Sequence, residues 1–235
     1  MLPTYNEIDN IEAMLRALRA SVPDADILVV DDASPDETAE AAEKLAPELG
    51  AITVLHREGK GGLGSAYRFG FAWGLKAGYD ALVEIDCDFS HDPAVLPGML
   101  KLAENYEVVI GSRYVVGGSI PVWSWSRRTL SRGGNRYASA VLGLRVADST
   151  AGYRVYRASA LDKMHYETVT ADGYGFQVLM TYRARRAHAT LIETPIAFVD
   201  RTKGQSKMST WIVVEALWLV TKLGVMRVLG RGDQA

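Results

Sequence analysis

Short apolar runs alternate with amphipathic stretches through the first half of the chain. Positions 27–30, 52–55, 81–85 and 107–110 are mainly apolar and of strand length, too short for most helices. Between them, apolar residues recur at helical spacing. Ile8, Ile11, Leu15 and Leu18 form one stripe, with Asn6 as the predicted N-cap, Glu7 and Asp9 in the first turn, and Pro23 as the stop. Further helices are predicted over 36–49, from the Gly-rich stretch 59–64 to 76, and over 95–104. This βα alternation predicts an α/β fold with a largely parallel sheet. Such a sheet should open on a strand before Pro3, where only Met1 and Leu2 are available. Either the chain starts late or the sheet lacks that strand.

From Ser112 onward the pattern changes. Positions 114–122 are Gly-rich with one proline and read as a mobile loop. Helices over 126–142 and 174–187, strands near 190–193 and 196–200, and a basic loop over 200–207 follow. The last helix, 210–229, has its longest unbroken apolar run at 216–220, well short of the ~20 residues a membrane-spanning helix needs. Trp211, Glu215, Trp218 and Lys222 share one stripe, while Val220 and Leu223 lie elsewhere. That stripe suits either a membrane interface or packing on the domain or a partner. The predicted organisation is a domain over 1–209 followed by an amphipathic helix over 210–235.

Composition narrows the function classes. The 235 residues carry a formal net charge of −2, which argues against a general nucleic-acid surface. The single cysteine, Cys87, excludes an intrachain disulfide, fits a reducing compartment and reads as a small core residue. No signal peptide is expected, because the chain runs directly into Pro3-Thr4-Tyr5-Asn6-Glu7.

The chemistry concentrates at strand ends. Asp86-Cys87-Asp88 follows the run 81–85, and Asp31-Asp32 ends the run 27–30. Two carboxylates one residue apart can turn toward one hard cation, Mg²⁺ or Mn²⁺, and such sites pair carboxylates with substrate phosphates. Ligands of open α/β sheets bind outside the carboxyl ends of the strands. Gly59, Gly61 and Gly64 also match G-x-G-x-x-G, with Glu84 about 20 residues on, so a dinucleotide-dependent oxidoreductase is an alternative. That loop follows the third strand-like run, however, and no Lys-Ser/Thr pair makes it a P-loop. His56, His91, His165 and His188 have no metal-ligand spacing.

Pro3-Thr4-Tyr5-Asn6-Glu7, Asp31-Asp32-Ala33-Ser34-Pro35-Asp36, Gly61-Gly62-Leu63-Gly64, Asp86-Cys87-Asp88 and Gly111-Ser112-Arg113-Tyr114 occur in the order of glycosyltransferase family 2, which the chain resembles. Arg127-x-x-x-Ser131, the segment 148–154, Gly173-Tyr174-Gly175-Phe176-Gln177 and the segment 201–207 look like those of dolichol- or polyprenyl-phosphate mannosyltransferases. The resemblance implies a GT-A fold and inverting transfer of mannose from GDP-mannose to polyprenyl (dolichyl) phosphate. Transfer from UDP-glucose or of another sugar remains the near alternative, and a non-catalytic nucleotide-sugar-binding subunit a further one.

Carried onto this chain, the resemblance makes Asp86 and Asp88 the metal ligands, with Asp88 the direct one. Pro3, Tyr5, Glu7, Asp32, Lys60, Asp86, Arg201 and Lys207 are assigned to the nucleotide sugar, and Arg113, Arg127 and Ser131 to the lipid phosphate. Asp88, Arg113 and Arg127 are the expected catalytic residues. It also implies a cytoplasmic enzyme, peripheral at the cytoplasmic membrane face through direct contact or an anchoring partner protein.

Residue chemistry supports the acceptor side independently. A hydroxyl acceptor needs a general base. A phosphate monoester, with its second pKa near ~6, is already nucleophilic at neutral pH. It needs cationic clamps instead, and arginine forks match its oxygens. Ser131 lies one helical turn beyond Arg127, so both can face one phosphate. Arg128, Arg132 and Arg136 read as solvated charge. Trp123 and Trp125 could either touch lipid or close their loop on the core.

Overall fold

The computed structural model of the chain describes residues 1–201 and 210–229, the latter with side chains from 215 on. Its strands are β1 (Leu2–Thr4), β2 (Ile27–Asp31), β3 (Ile52–His56), β4 (Ala81–Glu84), β5 (Val108–Ser112), β6 (Arg154–Arg157) and β7 (Leu191–Pro195). Its helices are α1 (Ile8–Ser21), α2 (Thr38–Leu49), α3 (Leu63–Lys76), α4 (Leu96–Ala103), α5 (Trp125–Leu142), α6 (Ala158–Met164), α7 (Gly173–Arg186) and α8 (Thr210–Val228).

Hydrogen bonding gives two sheets, β1-β2-β3 and β4-β6-β5-β7. Met1 joins them. Its nitrogen donates to the Val83 carbonyl (2.8 Å) and its carbonyl accepts from Ile85 N (3.3 Å), the offset of a parallel ladder. The order across the molecule is therefore β3-β2-β1-β4-β6-β5-β7. β6 alone runs antiparallel, to both β4 and β5. The leading strand expected before Pro3 is thus present as a three-residue piece, with Pro3 in register with Val30.

β2 and β5 are buried at every position, as continuous apolar runs covered on both faces should be. One face packs α1, α2 and α4 through Ile11, Leu15, Ala42 and Met99. The other packs α3, α5, α6, α7 and α8 through residues such as Tyr67, Leu142, Phe176 and Val220. Alternate strand residues divide between the layers: Val109 and Val155 face the first, Val108 and Tyr156 the second.

Three local expectations are corrected. Asn6 does not cap α1; it adopts a left-handed conformation (φ 57°), and the cap position is Glu7. The amides at the start of α1 are served from the β2–α2 loop and the first residue of α2: Thr38 Oγ1 accepts from Glu7 N (2.9 Å) and Asp36 Oδ2 from Ile8 N (3.2 Å). The strand expected over 196–200 is a single bridge between Ala197 and Ser119. That bridge also pins the loop 114–122, through Ser119 N donating to the Ile196 carbonyl (3.0 Å). Finally, β6 and α6 lie where the apolar pattern predicts no element. Among the described residues, no helix is long and apolar enough to cross a membrane. α8 packs on α5 and α7, with Val220 and Leu223 in the same core as Leu142 and Phe176.

Candidate active site

The carboxyl ends of β1, β2, β4 and β5 open on one side of the sheet and bring the predicted residues together. Asp32, just past β2, is buried; it pairs with Arg57 and accepts from Gly61 N (3.1 Å). Asp31 is turned away, accepting from the hydroxyls of Thr4 (2.7 Å) and Ser34 (2.6 Å), and it braces the loop rather than facing the cleft. Tyr5 and Lys60 meet, with the Lys60 ammonium 4.4 Å over the ring.

Asp86 and Asp88 follow β4. Asp86 accepts from the Tyr67 hydroxyl (3.2 Å), and Asp88 from Ser90 N (3.0 Å). Burial raises the Asp86 carboxyl well above the usual range, and the Asp88 charge adds to that, with a smaller contribution from Glu7. The Cys87 thiol points into the core, as expected. A pair of oxygen donors that repel each other in this way fits a divalent cation, which relieves the repulsion. No third His, Cys, Asp or Glu completes a protein cage among the described residues. That suits Mg²⁺ or Mn²⁺ sites, in which substrate phosphates and waters fill the remaining positions.

The arginine side differs from expectation at Arg113. Its guanidinium is buried and bidentate to Asp148, with Nε to Oδ2 and Nη2 to Oδ1 both 2.7 Å, and Nη2 also donates to Thr150 Oγ1 (2.8 Å). Burial opposes its charge, yet the Asp148 bonds outweigh that and hold it above its ordinary value. The rings of Tyr114, Trp123 and Phe198 lie 5.4–5.6 Å from it. Arg113 therefore acts as a fixed post, its fork already committed.

Arg127 is the arginine that meets the cleft. It is half-buried, stacks 3.8 Å over Trp123 and donates to Asp200 (3.0 Å). Ser124 caps its helix, with Oγ accepting from Arg127 N (3.3 Å). Ser131, one turn on, accepts from the Tyr114 hydroxyl (2.7 Å). Arg127, Ser131, Thr150 and Tyr174 share the wall of a cavity of about 120 Å³ between α5, α7 and α8.

Two consecutive residues tie the charged clusters together. Asp200 accepts from Arg127 and from Trp123 Nε1 (2.8 Å), while Arg201 Nη2 lies 3.0 Å from Asp88 Oδ2. Tyr174, raised above its ordinary value by burial, feels Arg113 and Arg127 on one side and Asp86 on the other. The acidic and basic clusters therefore line one cleft. Lys207 lies outside the described residues.

Several contributors carry no role that the sequence assigned to them individually. Asp200 and Asp148 gain meaning only from partners 73 and 35 residues away. Asp172, at the start of α7, accepts from Gly64 N (3.1 Å) and fills the N-terminus of α3. Gly61 and Gly64 thus spend their amides on Asp32 and Asp172, which removes the cradle that a dinucleotide pyrophosphate would need. A Cβ on Gly62, at φ +87°, would stand 2.7 Å from the Asp172 carboxylate. Beneath the cleft, fully buried Arg154 donates to the Ser149, Ala151 and Gln177 carbonyls. His91 sits edge-on to Tyr153 and Phe198, and burial pushes it down to about 4, so it is neutral.

Known proteins resemble this arrangement along the whole chain. The family model for glycosyl transferase family 2 matches residues 1–164. An undecaprenyl-phosphate mannosyltransferase of Micrococcus luteus is 48% identical over 225 residues, covering 96% of this chain and 93% of its own. A polyprenol monophosphomannose synthase of Mycolicibacterium smegmatis is 42% identical over 237 residues, covering 100% and 88%. Among solved structures, glucosyl-3-phosphoglycerate synthase from Mycobacterium tuberculosis, in complex with Mn²⁺, UDP and glucosyl-3-phosphoglycerate, superposes with a TM-score of 0.62 at 20% identity, covering 99% of this chain and 78% of that one. The fold is GT-A, and the chain belongs to glycosyl transferase family 2.

Proposed function

We propose that this protein transfers mannose from GDP-mannose to a polyprenyl phosphate, with inversion, releasing GDP. The names of the two relatives support the sugar and the acceptor class. The observation that supports the chemistry is the Asp200–Arg201 pair, whose contacts hold the Arg127 guanidinium and the Asp88 carboxylate within one cleft.

Asp86 and Asp88 would hold Mg²⁺ or Mn²⁺, which as a Lewis acid supplies charge neutralisation to a departing diphosphate. Tyr5 and Lys60, with Asp32 behind the Gly-rich loop, form the end of the cleft suited to base and ribose. Arg127 and Ser131 orient the acceptor phosphate, which attacks without a general base because it is already dianionic near neutrality. Arg113 fixes the aromatic bed beneath Arg127, a positioning role rather than direct contact. We place the protein at the cytoplasmic face of the membrane, where such an acceptor is reached.

The test is transfer of label from GDP-mannose, or in parallel from UDP-glucose, to polyprenyl phosphate with Mg²⁺ or Mn²⁺. Label in the organic phase from GDP-mannose, lost on chelation, is expected. Preferential use of UDP-glucose would reassign the donor, and hydride exchange with a nicotinamide cofactor would reject the class.

A further inference from the structure

Just past β7, residues 196–200 run in strand-like alternation. Ile196 is buried and Ala197 and Val199 are exposed, so Phe198 and Asp200 fall on the inner side with Ile196. Backbone bonds fasten this segment to three others. Ile196 N donates to the Ser112 carbonyl (3.0 Å), Phe198 N to that of Ser119 (2.9 Å) and Val199 N to that of Ser90 (3.3 Å). The half-buried Phe198 ring fills the space between these attachments. It stands edge-on to His91, in the loop after Asp88, with centroids 5.5 Å apart and 86° between the planes. It stands edge-on also to Trp123, on the arginine side, at 5.6 Å and 75°. The Arg113 guanidinium, held bidentately by Asp148, lies 5.4 Å from its centroid. Edge-to-face contacts fix direction as well as distance.

We propose that Phe198 is a positioning residue that sets the separation between Asp88 and Arg127. One ring meets the supports of both clusters. His91 follows Asp88 by three residues and is braced from behind by Tyr153 (5.3 Å), while Trp123 carries Arg127 on its face at 3.8 Å. The two residues that reach the clusters, Asp200 and Arg201, come directly after Phe198, so the ring anchors the stem that bears them. Phe198 itself supplies no charge and no hydrogen bond to a substrate; it fixes how far apart the two half-sites stand. That distance governs the rate, because reacting atoms must lie about 3–3.5 Å apart and a misplacement of about 1 Å can cost about 10²-fold. The catalytic consequence rests on the function proposed above; the mechanical claim, that one ring holds both sides, does not.

Two measurements on the full chain test the two parts. Hydrogen exchange followed by NMR reads the mechanical part at the Trp123 indole N–H, which donates to Asp200 (2.8 Å), and at the Val199 amide, which donates to Ser90. Phe198→Leu should speed exchange at both by about tenfold or more, through local opening of the segment. Phe198→Tyr, which keeps the ring, should return both to near the unsubstituted rate. Leu161→Ala, a truncation of a fully buried side chain in α6, should lower the melting temperature and leave both protons slow. Acceleration at one proton alone or at neither would overturn the assignment, as would equal acceleration with Leu161→Ala, which would make the ring ordinary core. Kinetics read the catalytic part. Phe198→Leu should lower kcat for mannose transfer roughly 10–100-fold. The Kd for GDP-mannose, by calorimetry with Mg²⁺, and the acceptor KM should stay near their unsubstituted values, and Phe198→Tyr should restore the rate. A rise in either constant with kcat unchanged would also overturn it, since the ring would then serve one half-site alone. If the unsubstituted chain transfers no mannose, the functional reading falls, and exchange at the two protons still decides what Phe198 does.

Discussion

The two walls of the cleft follow opposite electrostatic plans. On the acidic wall, Asp86 and Asp88 stand at one strand end with Glu7 near enough to add to the repulsion. Within the described residues, Arg201 is the ion-pair partner of Asp88. On the basic wall each arginine is matched: Arg113 by Asp148 in the core, and Arg127 by Asp200 at the surface, both against the Trp123 ring. The acidic wall is thus suited to a cation brought from outside, whereas the basic wall is organised in advance. Strand ends supply close, rigid spacing for the first, and a helix face over aromatic rings supplies orientation for the second.

The largest expected effect lies on the acidic wall. Asp88→Asn should lower transfer roughly 10²–10³-fold, the scale of removing one charge-stabilising group. Label recovered in the organic phase measures it, and full activity in the presence of chelator would break the proposed contrast between the walls.

The two ion pairs of the basic wall should then separate stability from function. Asp148→Ala leaves Arg113 buried without its counter-charge and should cost about 3–5 kcal/mol, read from the denaturation midpoint. Asp200→Ala, in a pair well exposed to solvent, should change stability by no more than about 1 kcal/mol. Equal losses would mean that Arg113 and Arg127 are the same kind of residue, contrary to their geometry.

Arg127→Ala should raise the acceptor KM by about 10–100-fold, the worth of a charge-assisted hydrogen bond, while GDP-mannose affinity stays unchanged. Loss of donor binding to the same extent would move Arg127 to the other substrate.

A pH-dependent effect concerns Glu84, beneath the acidic wall. Burial pushes its carboxyl from 4.5 up to about 7, with Arg154 pulling the other way. The folded state then holds the proton more tightly than the unfolded chain. Stability should therefore fall as pH rises from the ordinary carboxyl range through about 7, by about 3 kcal/mol at most. Glu84→Gln should flatten that slope in thermal melts at about pH 5 and about pH 8.

The acidic strand ends were legible because continuous apolar runs announce buried parallel strands, and a carboxylate just beyond one has a defined place at the sheet edge. β6 was hidden by its own chemistry. Arg154 and Arg157 bracket only Val155 and Tyr156, so no apolar run appears, although Arg154 is fully buried on backbone carbonyls. α6 follows β6 without a turn and has only seven residues, too few for a periodic stripe. The strand expected over 196–200 is limited by its surroundings. Pro195 ends β7, and the chain then turns its amides to Ser112, Ser119 and Ser90 on separate segments. Asn6 misled because capping groups for α1 come from a loop some thirty residues away. Roles set by distant partners, such as those of Asp200 and Asp172, leave no local trace.

The Asp200–Arg201 dipeptide bears on how ligands enter. Each half of it is a resident counter-ion, so on the proposed function an incoming phosphate or cation would exchange for a group already in place. Affinity is then measured against that internal competitor, which tempers tight binding. The same competitor stands ready to reclaim its partner when products depart.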